Sequence, residues 1–425
     1  MSEAATVLRR SPRLAWLVWA VGALSFSYAF MQRVAPSVMV EDLMRDFAAT
    51  GAVLGNLSAI YFYAYAGLQI PIGLALDAWG PRRMLTAAAV VAAVGSLLFS
   101  TGETLTTAYI GRLLIGIGCA VGFVGSLKIA VAWFPPNRFA FVSGMSMLMG
   151  MAGGIAGQAP MAAVVDVVGW RDALFGAGVL GLVLAAATWV IVRDHPATGD
   201  IAEIRRPARQ VMADLKQVIV QRQIWLIALY GGVMSGPMLA YGALWGVPHL
   251  MTVYGLDRPT AAGSASLVLL GWAGGAPAAG WISDRLGRRR LPMAVAAVIA
   301  LLSWVMLLYV PGLPLFLAWV LLFVVGASSA GMVITYALAR EISPPRVSGA
   351  ATGFNNMMTV GSGALMQPLI GWLLDRYWDG TEVDGVRAYS HGTYDAALVT
   401  LPICAAVAFV LVWFVRETYC RPRAE

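Results

Sequence analysis

The chain has 425 residues, 59% of them hydrophobic and only 12% charged, with a mean hydropathy of +0.74 and a formal net charge of +7. Soluble domains run nearer about 45–50% apolar and about 25% charged, so this composition excludes almost any soluble enzyme, a disordered chain and a secreted disulfide scaffold. The apolar runs are about 18–27 residues long, which is helix length for a bilayer crossing, and the alternating segments of a membrane barrel are absent.

The first run follows Arg9, Arg10 and Arg13 and is too long for the core of a signal peptide, so it is expected to be a retained anchor. Twelve spans are predicted, at 14–40, 52–76, 84–101, 106–132, 140–163, 172–192, 223–250, 260–282, 291–309, 313–337, 349–373 and 395–415. The longest polar stretch between spans lies midway, at 193–222, with a surface helix expected around 208–220. The predicted organisation is an N-terminal six-helix bundle over 1–192, a cytoplasmic linker over 193–222 and a C-terminal six-helix bundle over 223–425.

The basic residues orient these spans. Of the 29 Lys and Arg, Arg45, Arg171, Arg258, Arg376 and Arg387 fall on one side, and Arg33, Arg112 and Lys128 fall inside spans. All the others, including Arg205, Arg206 and Arg423, fall on the side that carries both chain ends. The positive-inside rule then places both termini in the cytoplasm and accounts for the basic charge without nucleic acid. Cys119, Cys404 and Cys420 have no metal spacing, and His195, His249 and His391 are scattered among loops and span ends. No metal and no cofactor are expected. The glycine-rich runs lie inside spans and no phosphate-loop motif occurs, so ATP hydrolysis has no support.

The two halves repeat. After span 2 the chain reads Gly73-Leu-Ala-Leu-Asp77-Ala-Trp-Gly80-Pro-Arg82-Arg83, and after span 8 it reads Gly280-Trp-Ile-Ser-Asp284-Arg285-Leu-Gly287-Arg288-Arg289-Arg290. Pro135-Pro136-Asn-Arg138 is echoed by Pro344-Pro345-Arg346, and Gln158 in span 5 by Gln367 in span 11. Three matches in order at nearly constant offset indicate duplicated halves, a transporter signature. The loop motif resembles the signature of the major facilitator superfamily, G-x-L-a-D-r-x-G-r-k/r-k/r. The second copy matches almost fully, and the first departs at Ala78 and Pro81. The resemblance implies an all-α membrane protein of twelve transmembrane helices in two pseudo-symmetric six-helix bundles rocking about a central cavity. It implies that Gly73, Asp77, Gly80, Arg82 and Arg83, with Gly280, Asp284, Arg285, Gly287 and Arg288, latch the cytoplasmic side. A carboxylate at a span end can pair with Arg82, Arg83 or Arg285, or face a helix N-terminus.

Charge inside a membrane is costly and usually functional. None of the 22 Asp and Glu falls in the central third of a span. The buried charge is cationic: Arg33, Arg112 and Lys128. Arg33 lies about 9 Å past the middle of span 1 at a rise of about 1.5 Å per residue, and Phe30, Pro36 and Ser37 share its face. An unpaired guanidinium facing a wet cavity suits a carboxylate or phosphate. The alternative is snorkelling toward Glu41 or Asp42. Arg112 and Gly116 resemble the superfamily's span-4 motif, with Ile115 in place of the usual Gln. Arg112 either orders the first bundle through carbonyls or takes part in coupling. Lys128 is on another face of span 4 and is expected to snorkel.

A narrower resemblance appears in Tyr61-Phe-Tyr-Ala-Tyr65-Ala-Gly-Leu-Gln69-Ile-Pro71, in Trp133-Phe-Pro135 with Arg138, and in Gly169-Trp-Arg171. Together with the late arginine of span 1, these look like the anion:cation symporter and organophosphate permease branches. In those branches that arginine binds anionic substrate, a role carried here to Arg33 alone. Span 7 lacks the second arginine of the phosphate exchangers, and spans 1 and 4 lack the buried carboxylate of many proton symporters.

Gln158, Asn355, Asn356 and Gln367 either line the cavity or tie helices together. Tyr61, Tyr65 and Gln69 form one stripe on span 2; Tyr230, Met234, Pro237 and Tyr241 form another on span 7. The reading is a secondary transporter of a small organic anion in a bacterial-type inner (plasma) membrane. Arg33, Tyr61, Tyr65, Gln158, Tyr241, Asn355, Asn356 and Gln367 are its substrate-site candidates. Protons or a counter-anion could be coupled, and a monomer embedded in lipid is expected. The rival readings are an exporter of lipophilic or cationic compounds and a non-transporting solute receptor.

Overall fold

The computed structural model describes residues 12–194, 208–383 and 385–421. Arg9, Arg10, His195, Arg205, Arg206 and Arg423 lie outside the described residues. Ten described stretches are long and apolar enough to cross a membrane. The stretch Phe141–Ile191 has 51 residues, too many for one crossing, and its backbone turns at Gly169, φ 83°. A further limb, Gly51–Gln69, belongs to the helix Gly51–Thr101, which turns at Gly80, φ 77°. Only glycine takes these left-handed angles without strain, and each marks a hairpin between two membrane-crossing limbs. Divided there, the described residues supply twelve candidate spans, consistent with two six-helix bundles.

Span 1 is Pro12–Val34, followed by a 3-10 turn, Ala35–Val38, and a short helix, Val40–Asp46. Spans 2 and 3 are 51–79 and 81–101. Span 4 is Leu105–Cys119 continued by Gly122–Trp133, and span 5 is Phe139–Ala156 continued over 159–168. Span 6 is 170–191. The linker holds a helix, Ala208–Ile219. Span 7 is Arg222–Ala240, a π turn at Tyr241–Trp245, and Gly246–Tyr254. Spans 8 and 9 are Arg258–Leu286 and Arg290–Tyr309. Span 10 runs Leu315–Ser329, Ala330–Val333, Ile334–Ile342, and span 11 is Ser348–Arg376. After a small hairpin pairing Glu382–Val383 with Val386–Arg387, span 12 is His391–Leu398 and Thr400–Val412.

Local chemistry sets the span starts. Thr50, Asp257 and Ser390 each accept an N–H from their helix's first turn, and Thr104 and Thr107 cap each other reciprocally. Val167, Phe316, Leu365 and Trp413 are at least 60% exposed, a surface that fits lipid rather than water. The halves repeat in detail: the loop after span 2 turns at Gly80 and the loop after span 8 at Gly287, φ 61°. Asp194 caps the backbone N–H of Arg82, while Glu417 caps those of Arg289 and Arg290.

One face carries the described ends at Pro12 and Arg421, the linker helix Ala208–Ile219 and most of the described arginines, and is called the basic face here. The other is the opposite face. The halves meet tightly on the opposite face. Gly51 and Ala52 donate their N–H groups to Asp375 at 3.0 and 2.8 Å, and the Gly371 Cα packs on the Gly51 carbonyl. Arg258, heading span 8, pairs with Asp42 at 3.0 Å and Asp166 at 3.3 Å in the first half. Toward the basic face, a side chain added at Gly73 or Gly280 would meet nothing within 4 Å. The contacts of Asp375 and Arg258 close the opposite face.

Candidate functional site

Span 1 ends one turn short because of Pro36. That residue has no N–H, so the Gln32 carbonyl lacks its intrahelical donor. Arg112 of span 4 fills the gap: Nη1 donates to the Gln32 carbonyl at 2.6 Å and Nη2 to the Arg33 carbonyl at 3.2 Å. Gly116 lets span 4 come close enough, since its Cβ would stand 2.8 Å from the Tyr61 carbonyl. Arg112 is 1% exposed and orders the backbone that carries Arg33. Arg112→Ala is therefore expected to cost about 1.5–3 kcal/mol per lost charged hydrogen bond. A clearly lower melting temperature of the purified protein would show it. Lysine cannot span both carbonyls and should rescue little; an unchanged melting temperature contradicts this role.

Arg33, held on that end, is buried, 5% exposed. Its guanidinium lies 4.2 Å from the Phe30 ring, 4.9 Å from Tyr65, 5.5 Å from Tyr61 and 5.8 Å from Phe62. Nε has no hydrogen-bond partner, and among the described residues no acidic group pairs with Arg33. Asp42, the snorkelling alternative, pairs with Arg45 and Arg258 instead. Aromatic faces attract a cation, by about 0.5–2 kcal/mol each, but do not neutralise it. The site thus keeps a net positive charge in a low-dielectric place, an arrangement that favours an anion. Tyr61 is fixed by donating to the Ala29 carbonyl at 3.0 Å, and it stacks on Tyr65 with centroids 6.0 Å apart.

Arg33, Tyr61 and Tyr65 are therefore brought together. The other candidates are engaged elsewhere. Gln158 donates to the Gly242 carbonyl at 2.7 Å and accepts from Ser37 at 3.3 Å, tying spans 5, 7 and 1. Tyr241 bonds His249 at 2.8 Å and packs on Trp304. Gln367 donates to the Leu239 carbonyl, leaving Oε1 unpartnered, and Asn355 donates to Thr335, leaving Oδ1 unpartnered. Asn356 accepts from Tyr336 at 2.9 Å and donates to Gln69 of the other half at 3.4 Å. That bond joins span 2 of the first half to span 11 of the second and adds Gln69 to the set. Gln32, which sequence reasoning passed over beside Arg33, donates to Tyr28 at 2.8 Å and Ser96 at 3.2 Å.

The loop motifs differ from expectation in their pairings. Asp77 pairs with Lys128 at 2.5 Å, so Lys128 does not simply snorkel, and neither Arg82 nor Arg83 is the partner. Arg82 instead lies 4.3 Å over Trp189 and donates Nε to the Trp189 carbonyl at 2.9 Å. Asp284 pairs with Arg289 at 2.7 Å rather than with Arg285, which covers Trp281. Arg289 also grips the buried Glu341 of span 10. Burial opposes ionisation of Glu417, but backbone N–H groups of Arg289, Arg290, Tyr419 and Thr418 hold its carboxyl below the usual range. Arg83, Arg285 and Arg288 are exposed. Both acids thus pair within their own half. The motif spacing marks the acids, but which cation folds back on each is set by helix packing.

Gly73 and Gly280 face open space here, so a bulky side chain at either is expected to be tolerated in this conformation and to obstruct closure of the basic face. Gly280→Leu should leave the melting temperature within about 1 kcal/mol equivalent of the parent and abolish turnover. Retained turnover would show that these glycines do not meet an opposing helix.

The family model described as Major Facilitator Superfamily matches residues 21–366. A protein of Cupriavidus necator described as a probable sulfoacetate transporter is 23% identical over 297 residues, covering 67% of this chain and 68% of its own. An Escherichia coli protein described as a probable galactarate/D-glucarate transporter is 24% identical, covering 100% of this chain and 99% of its own. Among solved structures, an inward-facing, unoccupied bacterial homologue of the human lysosomal transporter Spinster superposes with a TM-score of 0.75. It is 16% identical and covers 95% of this chain and 98% of its own.

Proposed function

The chain belongs to the Major Facilitator Superfamily, and from that premise we propose that it is a secondary transporter moving a small organic anion across the inner membrane by alternating access. In this reading the basic face is cytoplasmic and both termini lie inside, which the positive-inside rule supports. The observation that carries the anion reading is Arg33: a buried guanidinium with no acidic partner, walled by four aromatic rings. The names of the two relatives, sulfoacetate and galactarate/D-glucarate transporters, support it.

The anion pairs with the Arg33 guanidinium, and Tyr65 and Tyr61 orient its charged end. Its polar remainder reaches the Asn356–Gln69 amide pair that bridges the halves first, and the unpartnered oxygens of Asn355 and Gln367 in the second half next. The transporter acts as a monomer in the bilayer. Rocking opens the opposite face by parting Asp375 from Gly51 and Ala52 and Arg258 from Asp42 and Asp166. Closing the basic face brings the Gly73–Arg83 and Gly280–Arg288 loops to the other half as a latch.

Uptake of radiolabelled sulfoacetate and D-glucarate into proteoliposomes, with and without an imposed gradient, tests this. Saturable uptake that Arg33→Ala abolishes supports it. Uptake of lipophilic cations instead would favour the exporter reading, and binding without uptake would favour a receptor.

A further inference from the structure

The structure places the imidazole of His249 inside the seal that closes the opposite face. We propose that His249 is the proton-carrying group of the transport cycle, buried and uncharged when the opposite face is closed and protonated when it opens. The proposal rests on the alternating-access reading above and names its coupling ion.

His249 is 1% exposed, in the last segment of span 7. Nδ1 is 2.8 Å from the Tyr241 hydroxyl. The ring stands edge-on to Tyr241 and Tyr394, with centroids 5.5 and 5.4 Å away, and Tyr241 packs in turn on Trp304. An imidazolium in this aromatic enclosure would lose its hydration without a counter-charge in contact, which is costly. The enclosure therefore suits the neutral ring. Histidine is also the side chain whose charge changes most readily between pH 5 and 8.

The enclosure is tied to the gate. Between Tyr241 and Trp245 the helix widens into a π turn, a weak point in the backbone ladder often found at functional sites. Within that turn the Gly242 carbonyl accepts the Gln158 amide of the other half, and Trp245 donates to the Gln367 carbonyl. The neighbouring Val247 and Pro248 face Ser37, Val38 and Glu41 of the first half. Opening the opposite face must break the Gln158–Gly242 bond, which frees the turn and lets water reach the ring.

The other titratable or charged groups on the elements packed against His249 are few. They are Tyr241 and Tyr254 on its own span, Asp257 and Arg258 at the head of span 8, and His391, Tyr394 and Asp395 on the first segment of span 12. Glu41 adds its field at Tyr394. His391 is half-exposed and pairs with Asp395 at 3.6 Å, outside the enclosure. Because the open state binds the proton and the closed state does not, acidification must shift the population toward the open opposite face.

The test needs no substrate, so its failure is separable from failure of the anion reading. Spin labels are placed at Glu103→Cys and Pro311→Cys, exposed in the opposite-face loops of the two halves, with Cys119, Cys404 and Cys420 replaced by serine. Distances are measured in lipid nanodiscs from about pH 8 to about pH 5.5, above the range of ordinary carboxylates. The long-distance population should grow several-fold on acidification, should do so equally in His391→Gln, and should stay constant in His249→Gln. Tyr241→Phe removes the hydroxyl but keeps the imidazole, and should titrate with a displaced midpoint. A flat titration of the otherwise unaltered protein, or a His249→Gln variant that still titrates, overturns the proposal.

Discussion

Replacing Arg33 by alanine is expected to weaken binding of the transported anion by about 2–5 kcal/mol, roughly 30-fold to several-thousand-fold, while leaving the unliganded protein as stable as before or more so. The two halves of that expectation have one cause. The guanidinium is buried among Phe30, Tyr61, Phe62 and Tyr65 with no acidic partner, so in the empty protein it is a cost rather than a support. Proteins retain such costs where binding needs them. Arg33→Met, which fills similar space, should show the stability gain more cleanly than alanine, whose cavity offsets it. Arg33→Lys keeps the charge but loses the planar fork, and should recover part of the affinity for a carboxylate or sulfonate. Isothermal titration and thermal unfolding on the same preparations check both halves. A variant that unfolds earlier without ligand would make Arg33 a structural residue.

The second large effect is expected at the opposite face. Arg258→Ala combined with Asp375→Ala removes the ion pairs to Asp42 and Asp166 and the two N–H bonds from Gly51 and Ala52. Asp375 is itself positioned by Tyr389 at 2.6 Å and Arg387 at 3.2 Å, so its loss also frees the small hairpin. Charged hydrogen bonds contribute about 1.5–3 kcal/mol each, and 1.4 kcal/mol is tenfold in a two-state population. The double variant should shift the population at least about a hundredfold toward an open opposite face. Spin-label distances across that face would rise, and turnover would slow because the return step becomes uphill. Distances that stay short would mean that the close backbone packing of Gly55 on Gln367 and of Gly371 on Gly51 closes the face by itself.

Much of this architecture is legible in the sequence because it is written in local quantities. Hydropathy gives the spans, and the repeated Gly73 and Gly280 motifs give the duplication; the hairpin turns at Gly80 and Gly169 are seen only in the structure. Arg33 and the Tyr61, Tyr65 stripe are each legible as candidates, one as a charge inside span 1 and the other from its four-residue step along span 2, but their contact is seen only in the structure. What pairs across the fold is not local. Gln158 meets Gly242, 84 residues away, and Asp375 meets Gly51, 324 residues away. The stripe of Tyr230, Met234, Pro237 and Tyr241 assumes a regular helix, yet Tyr230 donates to the Met293 carbonyl and Tyr241 turns to His249. The π turn beginning at Tyr241 changes the register beyond it, and no residue pattern signalled it. His249 reads as a span-end residue because span 7 is expected to stop at 250, whereas the helix continues to Tyr254. Lys128 reads as a snorkelling cation because Asp77, on another helix, is invisible to spacing within span 4.

The central claim is that Arg33 makes this transporter a carrier of small organic anions. A thermal-shift screen of the purified protein against sulfoacetate, sugar diacids, aromatic carboxylates, organic phosphates and lipophilic cations tests it most directly. A ligand that binds only the folded state stabilises it by RT ln(1+[L]/Kd), about 2.7 kcal/mol at 100 times Kd. The account predicts that at least one anion class raises the melting temperature, that lipophilic cations do not, and that Arg33→Ala removes the shift without lowering the starting value. A shift produced by cations alone, or an anion shift that survives Arg33→Ala, would contradict it.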